Sequence, residues 1–179
     1  MELSCARLRA IALLAVLVCA AALPAQGSAA VRVMAENDLE YAVTVRINTI
    51  RTSKGLRKLA VRPALQTAAT KHVTNMALNG YFSHSWSNGT PFGTWIGWYW
   101  PGPEYTSWSA GENLYWRSID ATAHQVVSGW MASSGHRANI LRSSWRTIGV
   151  GSVHAVDPIG VYRSVASATI VAAEFGRRS

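Results

Sequence analysis

Residues 37–55 carry hydrophobic positions at helical spacing. The apolar residues follow one another at intervals of four, four and three, which matches the 3.6-residue period of an α-helix; they are Leu39, Val43, Ile47 and Ile50. Asn37 or Asp38 can cap the start of this helix, and Gly55 ends it just after Ser53. The pattern therefore predicts a first amphipathic helix from about residue 37 to residue 53.

A second helix is predicted to begin at Pro63 and to end at Asn79 and Gly80. One stripe of this helix faces the core; it contains Leu65, Ala69, His72 and Met76. Since His72 shares that stripe with apolar residues, we interpret it as a core histidine with satisfied hydrogen bonds rather than as a ligand.

Residues 81–110 read as a long irregular segment, rich in glycine and proline. Loops of this length in a compact domain are usually functional or disordered, and five tryptophans argue against disorder; these are Trp86, Trp95, Trp98, Trp100 and Trp108. They are consistent with a stacking platform for sugars, with a slot for a lipid, or with a cover over the core.

The remainder of the chain changes from helical to β patterning. A third helix is predicted from near Asp120 to just before Ser133, and a short helical turn covers residues 137–141. The inward positions of the third helix are Ala123, Val127, Trp130 and Met131. Two segments rich in β-branched residues, 148–156 and 165–175, are predicted strands. Three helices followed by two or three antiparallel strands indicate an α+β domain.

The first thirty residues have the pattern of a secretory signal peptide. Arg7 and Arg9 precede an apolar run that is too short to span a bilayer, and small residues follow it. We therefore predict a signal peptide at residues 1–30 and one domain at residues 31–179, with no transmembrane segment after cleavage. Both cysteines, Cys5 and Cys19, lie in the signal, so the mature domain would have neither disulfides nor a cysteine-type zinc site.

The net charge of +8 falls to +7 when the signal peptide, with two arginines and one glutamate, is removed. A basic secreted protein meets anionic cell-wall polymers or phospholipid headgroups more readily than nucleic acid, although ordinary solubility explains dispersed charge equally well. We expect a monomer with no nucleic-acid partner.

The candidate chemistry rests on a few polar residues in apolar or glycine-bounded surroundings. HExxH, GxSxG, P-loop and dinucleotide motifs are absent. Glu112, in the segment GENLYW, and the histidines His84 and His136 remain. Two histidines and a carboxylate can bind zinc with one open position, or perform acid–base chemistry near neutral pH. Their separations of 28 and 24 residues carry no metal signature by themselves.

Five motifs occur in an order that resembles the bacterial branch of the CAP superfamily of SCP-like domains. The resemblance covers residues 36–176, and its motifs are NTIRTSKGLRKL, AATKHVTNMALNGYFSHS, GENL, VVSGWMASSGHRANIL and IGVGSV. It implies an α-β-α sandwich with a three-stranded antiparallel sheet between helices. It also implies a cleft lined by two histidines and two acids.

Carried over motif by motif, the resemblance places His84, Glu112 and His136 in this cleft. We add Asn113 to the cleft as a hydrogen-bond partner, because it follows Glu112 directly in the chain. The position of the second acid holds Ser133. A mechanism that needs a carboxylate pair is therefore disfavoured. We predict His84 and His136 as the ligands of a divalent metal in this cleft, with zinc as the candidate ion.

The sequence thus predicts a secreted, extracellular domain that binds a ligand rather than turning one over. The ligand would be a divalent metal, a small apolar molecule such as a lipid, or a component of the cell envelope. One alternative is a metal-assisted peptidase or cell-wall hydrolase with Glu112 as general base. Another is a structural adhesin of the envelope that acts through its basic surface.

Overall fold

The computed structural model describes residues 31–35, 37–100, 102 and 104–179. The predicted signal peptide lies outside the described residues. The helices are α1 (Asn37–Ser53), α2 (Pro63–Asn79), α3 (Phe92–Trp95), α4 (Ala123–Ala132) and α5 (Ser134–Leu141). The strands are β1 (Arg32–Ala35), β2 (Ala60–Val61), β3 (Trp108–Ser118), β4 (Thr147–Val156) and β5 (Ser167–Arg178).

These strands form one sheet in the order β1-β4-β5-β3, with antiparallel neighbours, while the two-residue β2 pairs in parallel with the start of β4. The sheet has five strands among the described residues, so the expectation of three is corrected. Strands β4 and β5 confirm the predicted β segments. Strand β3 was not predicted, because its sequence includes glycine, glutamate and asparagine and therefore lacks a clear alternation of apolar positions.

Helices cover both faces of the sheet and make the α-β-α sandwich that the resemblance implied. On one face, α2 packs on apolar residues of β4 and β5, including Val153, Ile170 and Ala172. On the other face, α1, α4 and α5 surround residues of opposite parity, including Val150 and Val171. Successive strand residues point to opposite faces, so adjacent positions in β3 serve different layers.

Two glycines in β4 allow the close approach of α2. A Cβ atom at Gly149 would lie 2.1 Å from the backbone of Leu65 and Gln66. A Cβ atom at Gly151 would lie 2.3 Å from the backbone nitrogen of Thr70. Both contacts are backbone contacts, and no side-chain rotation relieves them. The motif IGVGSV therefore encodes a helix–sheet contact.

The helix predictions are confirmed for α1 and α2, and α2 ends at Gly80 in the left-handed conformation, with φ of 65°. Helix α4 begins later than predicted, because Thr122 and Gln125 form a reciprocal capping box at its start. Helix α5 is a full helix rather than a single turn, and the irregular segment contains the short helix α3. No helix in the described part of the chain is long and apolar enough to cross a membrane.

Candidate functional site: a glutamate between two histidines

The segment GEN lies in β3 and sends its two polar side chains to opposite faces of the sheet. Glu112 is opposite Glu174 of β5 in the antiparallel register, and Asn113 is opposite Ala173. Glu112 reaches toward α2, whereas Asn113 reaches toward α5. A Cβ atom at Gly111 would lie 2.9 Å from the Trp145 ring, so the glycine of this motif makes room for the tryptophan.

Glu112 is hydrogen-bonded to two histidines at once. Its Oε2 lies 2.6 Å from Nδ1 of His72, and its Oε1 lies 2.6 Å from Nδ1 of His84. The side chains of Glu112 and His72 are buried, 1 % and 0 % exposed, whereas that of His84 is 56 % exposed. The site thus runs from the interior of the sandwich to its surface.

These contacts set the charges of the site. Burial is the largest influence on the pKa of Glu112 and opposes its ionisation, but hydrogen bonds from His72 and His84 outweigh burial and hold that pKa below its ordinary value. The hydrogen bond to Glu112 raises the pKa of His84, against the effect of burial. Burial, and then the positive charge of His84, lower the pKa of His136.

His136 and Asn113 are held together by an asparagine network. Asn113 Nδ2 donates to the backbone oxygen of His136 at 3.0 Å. Asn139 Nδ2 donates to the backbone oxygen of Glu112 at 3.0 Å and is 3.1 Å from Asn113 Oδ1. The motif GHRAN thus fastens the start of α5 to the free edge of β3. The backbone oxygen of His136 is bonded to Asn113, the neighbour of Glu112 in β3. The His136 side chain makes no hydrogen bond to Glu112.

His72 is buried on α2, as its apolar stripe predicts, but it also belongs to the site. Its ring stacks on Trp86 with centroids 5.6 Å apart and tilts against Trp95 at 4.4 Å. Periodicity alone could not reveal the hydrogen bond to Glu112, because the partner lies forty residues away on the sheet.

Glu174 was not predicted as a site residue. It is fully buried in β5, and neither of its carboxyl oxygens accepts a hydrogen bond from a donor among the described residues. Burial and the neighbouring charge of Glu112 raise its pKa well above the ordinary value. The sequence feature that could have identified Glu174 as a site residue is its charge within the otherwise apolar run of residues 170–175. One ligand atom from each of His72, Glu112 and Glu174 lies within 4.8 Å of the others, so this group could hold a metal ion.

The remaining candidates are distributed over the fold. Trp95 and Trp100 of the irregular segment are buried, Trp86 is half-buried, and Trp98 and Trp108 are exposed. The segment therefore covers the core with some of its tryptophans and presents others to solvent.

Outside that segment, Trp130 and Trp145 are core residues, as expected. His124 is exposed, and His154 lies 3.1 Å from Asp120, so neither joins the site.

Comparison with known proteins agrees with this architecture. Residues 45–158 match the profile of the cysteine-rich secretory protein family, CAP. The chain is 34% identical over 117 residues to the uncharacterized protein YkwD of Bacillus subtilis. The aligned region covers 65% of this chain and 43% of that protein. It is 34% identical over 104 residues to the membrane protein YlbC of the same organism, across 58% of this chain and 28% of that protein. The chain thus spans less than half the length of these curated relatives.

Solved structures share the fold. An extracellular protein containing an SCP domain from Bacillus anthracis superposes with a TM-score of 0.61 at 26% identity, over 79% of this chain and 41% of that chain. An outer surface protein from Borrelia burgdorferi gives a TM-score of 0.68 at 18% identity, over 83% and 98%.

The fold and the histidine–glutamate site therefore define an SCP-type domain of bacterial kind. The chain belongs to the cysteine-rich secretory protein (CAP) family.

Proposed function

We propose that this protein is an extracellular ligand-binding domain whose surface histidine pair, His84 and His136, binds a zinc ion. The observation that carries the proposal is the 2.6 Å contact between His84 Nδ1 and the buried Glu112 carboxylate. A carboxylate on one ring nitrogen orients a histidine and increases its basicity, so that the other nitrogen can bind a metal. The ring is more than half exposed, which gives an ion access to it.

The neutral state of the His136 side chain suits it to be the second zinc ligand. Its lowered pKa keeps the imidazole neutral near pH 7, and a neutral imidazole is the form that binds metal. The raised pKa of His84 means that zinc displaces a proton there, so affinity should rise with pH. Asn113 fixes the backbone of His136 beside the site. Two protein ligands leave positions open for water or for a group of an envelope ligand.

An extracellular location is consistent with the signal-like N-terminal segment and with the Bacillus anthracis relative, which is described as an extracellular protein. A hydrolytic role for Glu112 is less favoured. Its side chain is 1 % exposed and both of its oxygens contact histidine nitrogens, so a substrate water has little access to it.

Zinc titration by calorimetry tests the proposal. The wild-type protein should bind about one zinc ion more tightly at pH 7.5 than at pH 6, and the His84→Ala/His136→Ala double variant should lose that binding. His124→Ala removes an exposed histidine of α4 and serves as the matched control. Equal zinc binding by the wild type and the double variant would refute the proposal.

A further inference from the structure

We propose that His72, Glu112 and Glu174, hereafter the buried cluster, form a second cation site that takes one small divalent transition-metal ion. This site uses neither His84 nor His136 as a ligand and does not require that zinc binds to them, although it shares Glu112, whose other oxygen contacts His84. Its three ligand atoms, one from each side chain, lie within 4.8 Å of one another, and all three residues are buried.

Glu174 supplies the observation that points to a ligand. A carboxyl group without a hydrogen-bond donor is costly to bury, since it loses its hydration and gains nothing in return. No amide, hydroxyl or imidazole donor among the described residues reaches either oxygen of Glu174. Its polar contact is with another carboxyl group across the strand pair, that of Glu112, to which a protonated Glu174 can donate. Either a shared proton or a shared cation offsets this arrangement, and a divalent cation balances both carboxylates.

His72 is oriented for such a role. Its Nε2 lies 3.4 Å from the backbone oxygen of Ser85, and its Nδ1 faces Glu112. In the metal-free protein Nδ1 donates to Glu112. The metal-bound form uses the other tautomer, in which Nε2 donates to the carbonyl and the lone pair of Nδ1 binds the metal, the usual support for a metal-binding histidine. The cation takes the place of the proton between the two glutamates and of any proton on Nδ1, and these protons pass to solvent.

The donor set defines the class of ion. One imidazole nitrogen with two carboxylate oxygens suits Mn²⁺, Fe²⁺ or Zn²⁺, whereas Mg²⁺ and Ca²⁺ prefer oxygen donors alone. The surface histidine pair, in contrast, offers two nitrogens and favours zinc.

Because tryptophans surround His72, we expect a metal ion in the buried cluster to exchange slowly with solvent. Trp86 and Trp95 pack against the His72 ring, and the Glu112 and Glu174 side chains are buried, so a bound ion is screened from solvent on the His72 side. An ion in the buried cluster should therefore resist a chelator that removes an ion from the exposed His84 and the half-buried His136.

Chelator resistance is the test. The protein is produced in medium supplemented with MnCl₂, purified and dialysed against EDTA, and its metal content is measured by mass spectrometry. About one Mn²⁺, or another first-row ion, should remain per wild-type chain and per His136→Ala chain. Glu174→Gln, which keeps the side-chain shape and removes the charge, should retain at least tenfold less.

Two results would overturn this site: wild-type protein without EDTA-resistant metal, or Glu174→Gln protein that retains as much metal as the wild type. Pulsed electron paramagnetic resonance on the wild-type Mn²⁺ form decides the matter if Glu174→Gln does not fold. Coupling to a single imidazole nitrogen is expected, and its absence would exclude His72 as a ligand. The zinc proposal is tested separately, by calorimetry on the His84→Ala/His136→Ala double variant.

Discussion

At the scale of single residues, the site depends on polar groups whose partners come from distant parts of the chain. Glu112 joins His72 of α2 to His84 of the following loop, and it does so from β3. Burial alone would protonate such a glutamate, yet two hydrogen bonds keep its pKa low. The charge of Glu112 in GENLYW is thus stabilised by hydrogen bonds and held in place by the sheet.

Asn139 gives a prediction at this scale. The Asn139→Ala variant should unfold with a free energy about 1–3 kcal/mol lower than that of the wild type, because the Glu112 carbonyl and Asn113 Oδ1 lose their donor. Urea denaturation measures the difference. Asn79→Ala removes an exposed asparagine that bonds only within its helix, and it should change the free energy by less than about 0.5 kcal/mol. Equal losses in the two variants would contradict the role of Asn139.

At the scale of secondary-structure elements, side chains replace missing strand partners. The free edge of β3 is covered by Asn139 Nδ2 on the Glu112 carbonyl and by Trp130 Nε1 on the Leu114 carbonyl. On β4, Glu40 of α1 accepts a hydrogen bond from the Ser152 amide, which lies between the segments paired with β1 and β2. Helices therefore satisfy the backbone where the ladder is interrupted, as buried backbone groups require.

The contact between α2 and β4 predicts strong sensitivity at Gly151. The Gly151→Ala variant should lose at least about 2 kcal/mol of stability, because its Cβ would meet the α2 backbone at 2.3 Å. The matched control is Gly93→Ala, since no atom lies within 4 Å of a Cβ at that position. The midpoints of urea unfolding compare the two variants, and a wild-type midpoint for Gly151→Ala would mean that α2 is not held this close.

At the scale of the whole molecule, the layers of the sandwich bring residues from five separate segments to the two faces of β3. His72 comes from α2, His84 from the loop, Glu112 from β3, His136 from α5 and Glu174 from β5. Because the interior is α-β-α layered, the buried members of this group lie between α2 and the sheet, while His84 lies at the surface.

The buried Glu40 makes the stability of the domain depend on pH. Burial raises its pKa, against hydrogen bonds from the Ser152 amide and Gln66. The folded protein therefore binds more protons than the unfolded chain above pH 4.5, and this contribution to stability is lost as the pH rises through the raised pKa. Glu40→Gln should gain stability relative to the wild type between pH 4.5 and 7.

Urea unfolding at several pH values checks this prediction. Asp38→Asn removes an exposed carboxylate from the same helix and controls for the change in net charge. If the stability difference between Glu40→Gln and the wild type does not change with pH, burial does not raise the pKa of Glu40 in the folded protein.

Much of the architecture could be predicted from local pattern. The spacing of Val43 and Ile47 predicts α1, and Pro63 and Gly80 mark the limits of α2, because helix formation depends on neighbours three and four residues apart. Strand β3 could not be found in this way, since its identity depends on pairing with β5, sixty residues further along the chain. The sequence likewise indicates a polar role for Glu112 but says nothing of its partner across the sheet.

The sequence by itself determined the helices, the family motifs and the identity of His84, Glu112 and His136 as site candidates, because each is recorded in local spacing or in a short motif. Only the tertiary structure decided that His72 and Glu174 join Glu112 in the interior. The register of β3 against β5 and the close approach of α2 over the glycines of β4 place them together. Such long-range contacts follow from packing, and packing leaves no periodic signal in the chain.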